Sequence, residues 1–436
     1  MSPQGYRRYM LLVLSVMAGI NAADTGAFAL VLQNIKTDVH LSDTQLGVLT
    51  GLAFALFYSL MGVPIARWAD RGNRVRIISI AALLWAVPMA LLGWARTFYQ
   101  LLALRVGTAV GEAGLVPPSH SLIADHFNRE ERPRAVAFFS LGTGLGGTLG
   151  FLAAGWLSQF YGWRNMFAVL SLPGIVMGIV AWTTLKDPRR TAPAEQSQAS
   201  LPPLRQVGAL IWKIGTFRHL LLASALLAIF SNGMLRWLPT FFVRTYGLKT
   251  GELGTWFALI TGVGGLAGLY AGGALASGYA AGNEQLQLRV GAIGYCAFTL
   301  VTGSVFLTSN LYVALALTML VTTSSAMVIA PVGAMVQTLV PPRMRATFAA
   351  LVLLVTNLIG GGLGPLLTAV LSDALRPSFG EDSLRYALAA SCPGFLWVAW
   401  HLRCASRCVM DDLARADLRT ADGPLDQQAK RAVASG

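Results

Sequence analysis

Charge is scarce in this sequence. Of 436 residues only 12% are Asp, Glu, Lys or Arg, and acidic residues are the fewer, 20 against 33 basic ones. Soluble domains carry roughly 25% charged residues, so a surface facing water on all sides is excluded. Cysteine is sparse too. Cys296, Cys392, Cys404 and Cys408 lie in or beside apolar stretches without even spacing, which speaks against a disulfide framework. His401, Cys404 and Cys408 sit on one short helix tail without a fourth ligand, so no metal is expected. What is abundant is apolar: 55% hydrophobic residues and a mean hydropathy of +0.58. A net charge of +13 would suggest nucleic acid in a soluble chain. Here the basic residues cluster between apolar runs, as in cytoplasmic membrane loops, and no nucleic-acid partner is expected. Arg7 and Arg8 precede a run too long for a signal h-region and no small-residue cleavage pattern follows, so no cleavable signal is expected.

Runs long enough to cross ~30 Å of hydrocarbon fall at 8–34, 45–67, 76–95, 98–126, 134–160 and 163–185, and again at 216–244, 252–278, 287–308, 311–339, 345–373 and 383–404. This predicts an all-α membrane protein of twelve transmembrane helices in two pseudo-symmetric six-helix bundles. The bundles would occupy 1–185 and 216–408, joined by a Pro-, Ser- and charge-rich cytoplasmic linker at 186–215 and followed by a cytoplasmic tail at 409–436. Alternating Asp and Arg from Asp411 to Arg419 favour a short surface helix in that tail. With the amino terminus inside, one side collects Arg7, Arg8, Arg67, Arg71, Arg74, Arg76, Arg129, Arg132, Arg134, Lys186, Arg189 and Arg190. The other receives only Lys36, Arg96, Arg164, Arg244, Lys249, Arg376 and Arg385, a bias that sets both termini in the cytoplasm.

The halves repeat faintly. Leu46 to Asp70 aligns without gaps on Leu253 to Ser277, an offset of 207 (253 less 46), and Pro118, Arg132 and Arg134 find counterparts in Pro331, Arg343 and Arg345. Parallel six-helix repeats with a site between them at mid-membrane are a secondary-transporter architecture.

The stretch Leu104 to His126 holds Arg105 and Glu112, seven residues apart. On a helix that is about two turns, ~10.5 Å along one face. An ionised side chain at the bilayer core costs at least ~2.5 to 3.5 kcal/mol and survives beside a partner or water. Asn21, Asp24 and Thr25 interrupt the first run at the depth expected for Glu112. Asp24, Glu112 and Arg105 therefore form a candidate proton-coupling group, against the plainer reading of an ion pair locking two helices. In the seventh run Asn232, Arg236 and Trp237 join Asn21 and Thr25 as candidate substrate contacts, with Arg236 either facing the cavity or snorkelling outward. After the second run, ARWADRGNRVR places Asp70, Arg71 and Arg74 as a conformational latch with Arg134, whereas the repeat counterpart at 276–282 has lost every charge.

Three motifs are decoys. Gly142, Gly144 and Gly147 spell a dinucleotide fingerprint but lie in an apolar helix with Gly146 and Gly150 and no preceding strand, which reads as close packing. Gly360 to Pro365 reads as packing or a hinge. His120 and Asp125 match a lipid-acyltransferase box without a second catalytic block.

Twelve spans with Asp70-Arg71 and Arg74 after the second resemble the major facilitator superfamily over residues 8–408. NAADTGAFALVLQNIKTDVHLSDTQLG, ALRVGTAVGEAG, SLIADHF and WLPTFFVRTYGL are similar to the spinster family of lysolipid and sphingosine-phosphate transporters and their bacterial relatives. The resemblance implies that Asp24, Arg105 and Glu112 form the proton-coupling and cavity network. The family usually carries arginine after the first-helix aspartate, where this chain has Thr25, and commonly a neutral residue at Arg236, so Arg236 is a candidate replacement for the missing charge. The expectation is a non-enzymatic, proton-coupled secondary transporter of an amphiphilic or organic anionic molecule, lysolipid-like by resemblance. It would be a monomer amid the lipids of a bacterial-type inner membrane, without a cofactor and driven by the proton gradient. Multidrug or metabolite transport is the alternative within the fold, and a membrane acyltransferase the remote one.

Overall fold

The computed structural model describes residues 2–188, 214–278, 283–339 and 351–421, with the side chains of Asp70, 275–278, 328–339, 413 and 415–421 left aside. Most of the linker, the stretch 276–282, the side chain of Asp70, and Pro331, Arg343 and Arg345 as side chains lie outside the described residues.

Helices make up nearly all of the described residues, with no strand among them. Eight helical runs are long and apolar enough to cross a membrane. Two of these, Arg132–Thr184 and Leu351–Asp412, each hold two crossings, and 98–126 and Leu311–Leu339 complete twelve. We number them α1 (Pro3–Leu30), α2 (43–71), α3 (Arg74–Leu91), α4 (98–126), α5 (132–161), α6 (163–184), α7 (Gly215–Tyr246), α8 (250–278), α9 (Glu284–Leu307), α10 (Leu311–Leu339), α11 (351–379) and α12 (383–421).

Local chemistry sets the ends. Ser42 and Gln45 form a capping box that starts α2, and Thr97 and Gln100 form another that starts α4, each satisfying orphan backbone donors reciprocally. The reversal between α5 and α6 falls on Gly162 at φ +79, a conformation open to glycine and strained for other residues. Two sequence expectations need correction. The first run does not continue to 34: α1 ends at Leu30, a short helix Leu32–Val39 follows, and His40 closes it at φ 56. The fourth run is not one helix either. It breaks after Ala113 and resumes at Val116–His126, because Pro117 has no N–H to give the preceding turn.

The alternation of directions puts residues 3, 71–74, 126–132, 184 and 215 at one end of the bundle, the near face, and residues 30–43, 91–98, 162, 246–250 and 379–383 at the other, the far face. The repeat read from the sequence is visible: α2 begins at Asp43 and α8 at Thr250, an offset of 207 (250 less 43), and each contains a π-type turn, at Val48–Leu52 and Ile260–Gly264. Small residues bring helices together. A side chain at Gly142 or Gly146 would collide with Ser15 or Gly19 of α1, so these glycines serve close packing of α5 on α1. Gly360 and Gly364 press likewise against Ala228 and Ile229 of α7.

The apolar core is divided unevenly. Toward the far face, Phe28, Ile35, Leu46, Leu49 and Phe167 of the first half merge with Trp237, Phe241, Phe242 and Phe257 of the second in one cluster. Toward the near face the first half keeps its own core, around Met10, Leu14, Ile78, Trp85, Leu122 and Phe139.

Candidate transport site

Between these cores lies a buried group of charges. Asp24 on α1, Arg105 and Glu112 on α4 are 0%, 1% and 4% exposed. Arg105 Nη1 reaches Asp24 Oδ2 at 3.3 Å. Its guanidinium also stacks on Phe28, 4.2 Å from the ring centroid, and on Phe54 at 4.9 Å. The cation is thus held by a carboxylate on one side and π faces on the other, an arrangement that stabilises a desolvated charge. Glu112 feels Asp24, Arg105 and Arg236. Arg236 comes from the other half, on α7, and donates through Nη1 to the carbonyl of Thr25 at 3.3 Å. The arginine therefore meets α1 at the residue following Asp24.

The hydrogen-bond inventory of this group is unfilled. Asn21 Nδ2, Asp24 Oδ1, Arg105 Nε and Glu112 Oε1 are buried without a partner in the protein. Buried polar atoms are nearly always satisfied; the Glu112 and Asp24 side chains interact directly beside Arg105, so a proton shared between the two carboxylates or a polar ligand atom fills these positions. Of the other expected contacts, Asn232 turns its amide back to Ala228 O at 2.8 Å, one turn before Arg236. Trp237 is fully buried, and its indole nitrogen donates to Pro365 O at 2.9 Å. It packs α7 on α11 and has no free polar group to offer a substrate.

The far face carries a second buried charge cluster, which the sequence reading did not single out. Asp43, at the start of α2, accepts from Arg244 Nη1 at 2.8 Å and Nη2 at 2.6 Å, from Lys36 Nζ at 2.6 Å and from Ser372 Oγ at 2.7 Å. Asp373 on α11 in turn accepts from the backbone N–H of Asp43 at 3.1 Å and of Thr44 at 2.7 Å, adding a cap from the opposite half to the first turn of α2. Arg244 Nε holds Gln33 Oε1 at 2.7 Å. Burial and the charge of Arg244 pull the Lys36 ammonium below its ordinary pKa, against the Asp43 hydrogen bond that raises it. Two cations and two carboxylates tie α2 to α7 and α11 across the two halves. Capping residues at 42–45 were a local signal, but the pairing of residues 201 apart in sequence leaves no local trace.

At the near face, the ion pairs formed between two described residues do not join the two halves. Arg74 is fully buried, bound to Asp187 Oδ1 at 2.6 Å and Asp125 Oδ2 at 2.7 Å. Arg7 pairs with Glu131. In the second half Thr216 donates through its backbone and hydroxyl to Asp412, and His219 faces His401 with Nδ1 atoms 3.0 Å apart. Of the expected latch residues, Arg74 is locked into the first half, while Arg71 and Arg134 are exposed. His120 packs edge-on against Phe139 and Asp125 belongs to Arg74, so the two do not act together as a catalytic pair.

The family model of the Major Facilitator Superfamily matches residues 14–365. The chain belongs to that superfamily. An MFS-type efflux pump of Mycolicibacterium smegmatis is 30% identical over 386 residues, covering 86% of this chain and 87% of that protein. Protein spinster homolog 1 of Xenopus tropicalis is 27% identical over 411 residues, 87% of this chain and 76% of that one. Among solved structures, a bacterial homologue of the human lysosomal transporter spinster, inward-facing and unoccupied, matches with a TM-score of 0.82 at 27% identity, over 93% of this chain and 98% of that chain. This major facilitator protein is a spinster-like, multi-pass membrane transporter, and its relatives are transporters rather than enzymes. The acyltransferase reading of His120 and Asp125 falls with that finding.

Proposed function

We propose that this transporter moves an organic anion or amphiphile together with protons, through the group formed by Asp24, Arg105, Glu112 and Arg236. The supporting observation is the charge count around the orphaned polar atoms: two carboxylates and two guanidiniums gathered where the halves meet. With both carboxylates ionised the group is neutral. Adding one proton leaves it at plus one, which an anionic substrate group balances. Proton and anion therefore favour each other's binding, the physical requirement for moving them in one direction. Arg236 would supply the anion contact that Thr25 cannot, since guanidinium forks match carboxylate and phosphate geometry.

Positive-inside bias assigns the near face and both termini to the cytoplasm of a bacterial inner membrane. The far-face cluster is then an outer seal. The resemblance to spinster proteins supports a lysolipid-like molecule as the substrate class. Efflux of small organic compounds is the second reading, favoured by the 30% identical efflux pump. It requires exchange against protons rather than joint movement.

Thermal unfolding of the purified protein against lysophospholipids, sphingoid phosphates, fatty acids and organic anions, at pH 6 and pH 8, tests the proposal. A ligand at a hundredfold its Kd adds ~2.7 kcal/mol to stability. The expected result is a shift by one anion class, larger at pH 6 and lost in Arg236→Ala. Stabilisation by cations, or by anions more at pH 8, would overturn it. Thr25→Arg combined with Arg236→Leu should restore the shift if Arg236 stands in for the missing arginine, and leave it absent otherwise.

A further inference from the structure

Away from the central group, the near ends of α3 and α6 enclose a groove of about 400 Å³ lined by Asn73, Arg76, Trp182, Leu185, Lys186 and Asp187. That volume lies within the range of small-molecule sites. Its charges are unequal in freedom. Asp187, the groove's carboxylate, is buried and holds the guanidinium and backbone N–H of Arg74. Arg76 and Lys186 are exposed and, among the described residues, neither joins an ion pair. The groove thus presents two unneutralised cations around a carboxylate already matched by an internal arginine.

Its position adds a second constraint. Trp182 sits in the last turn of α6, half exposed on the perimeter of the bundle, and the Arg76 guanidinium lies 5.9 Å from its ring centroid. An exposed tryptophan at the end of a spanning helix is at headgroup depth, with its ring in the acyl boundary and its N–H toward water. Two exposed cations beside such a ring lie within reach of a lipid phosphate. Basic recesses between spanning helices are lipid-headgroup receptors by this chemistry.

We propose that Arg76 and Lys186, with Trp182 beneath them, bind the phosphate headgroup of an anionic membrane lipid at the near ends of α3 and α6, separately from the transport site. Both cations are at the surface, so Arg76→Gln with Lys186→Gln leaves the buried Arg74–Asp187 pair in place. The test is native mass spectrometry of the full chain released from mixed phosphatidylglycerol and phosphatidylcholine micelles, with Arg129→Gln as the control for loss of a near-face charge elsewhere. The expected result is selective retention of one phosphatidylglycerol by the wild type and by Arg129→Gln, falling at least fivefold in the double variant. Equal retention in the double variant, or an equal fall in Arg129→Gln, would overturn the site. Free glycerol 3-phosphate competing at lipid concentrations would identify a soluble-phosphate site and overturn the assignment to lipid.

Discussion

The two faces of this transporter each bury an arginine–aspartate cluster, yet the clusters do different work. Arg74 is fully buried, held by the buried Asp187 at the start of the linker and by the partly exposed Asp125 on α4, with no partner from the second half among the described residues. Arg244 is buried with Asp43, and the pair joins the second half to the first. Both clusters bury their arginine, although Asp125 is a third exposed where Asp43 is sealed; what differs most is the part of the chain to which each partner belongs. Breaking the near-face cluster loosens a half, whereas breaking the far-face cluster frees the halves from each other. The division of the apolar core follows the same line, continuous across the halves at the far side and separate at the near side.

The largest effect should come from Arg244→Gln. It leaves Asp43 buried with a single cation, a loss of ~3 to 5 kcal/mol for a broken buried pair, or roughly 10² to 5 × 10³ in the population of the sealed state. Spin labels at Tyr99→Cys and Tyr312→Cys, both exposed near the far face, should report longer distances. An unchanged distribution would mean that the apolar core alone seals this face. Next, Asp43→Asn combined with Arg244→Gln should open the halves less than the two single effects added together, by an interaction of ~0.5 to 3 kcal/mol. Strict additivity would show that the two residues do not act as a pair. Arg74→Gln should lower the unfolding midpoint, on the order of 3 kcal/mol for a buried arginine removed, without moving the Tyr99–Tyr312 distances. Lengthened distances there would erase the contrast between the faces. Arg376→Gln should matter least. Its pairing with Glu381 is exposed on both sides, worth ~0 to 1 kcal/mol, and a larger loss would show that exposed far-face charges contribute to the seal.

The fold was legible because a membrane enforces a simple code. Twelve crossings, a 207-residue repeat offset and the close approach of α5 to α1 at Gly142 and Gly146 reappear in the structure, whereas Gly144 and Gly147 of the same run face open space. Asp24, Arg105, Glu112 and Arg236 were legible for a related reason: a charge inside an apolar run stands out, and its cost in hydrocarbon demands a shared polar interior. The orientation of Trp237 was not legible, because an aromatic residue beside Arg236 can turn to the cavity or to the neighbouring helix; its indole N–H bonds Pro365 on α11. Asp43 and Arg244 escaped notice because each sits at a helix end among ordinary polar residues. Neither is costly until the far face closes over both, and only the packed halves show that it does.

The most direct test of the central claim is uptake into proteoliposomes under an imposed pH gradient, comparing the wild type with Asp24→Asn, using whichever anion stabilises the folded protein. The expected result is that the gradient accelerates wild-type uptake and that Asp24→Asn loses this acceleration, since Arg105 then keeps its π contacts but no longer has a titratable partner on α1. Equal acceleration in the variant would contradict it, and would reduce the Asp24–Arg105 pair to a lock between two helices.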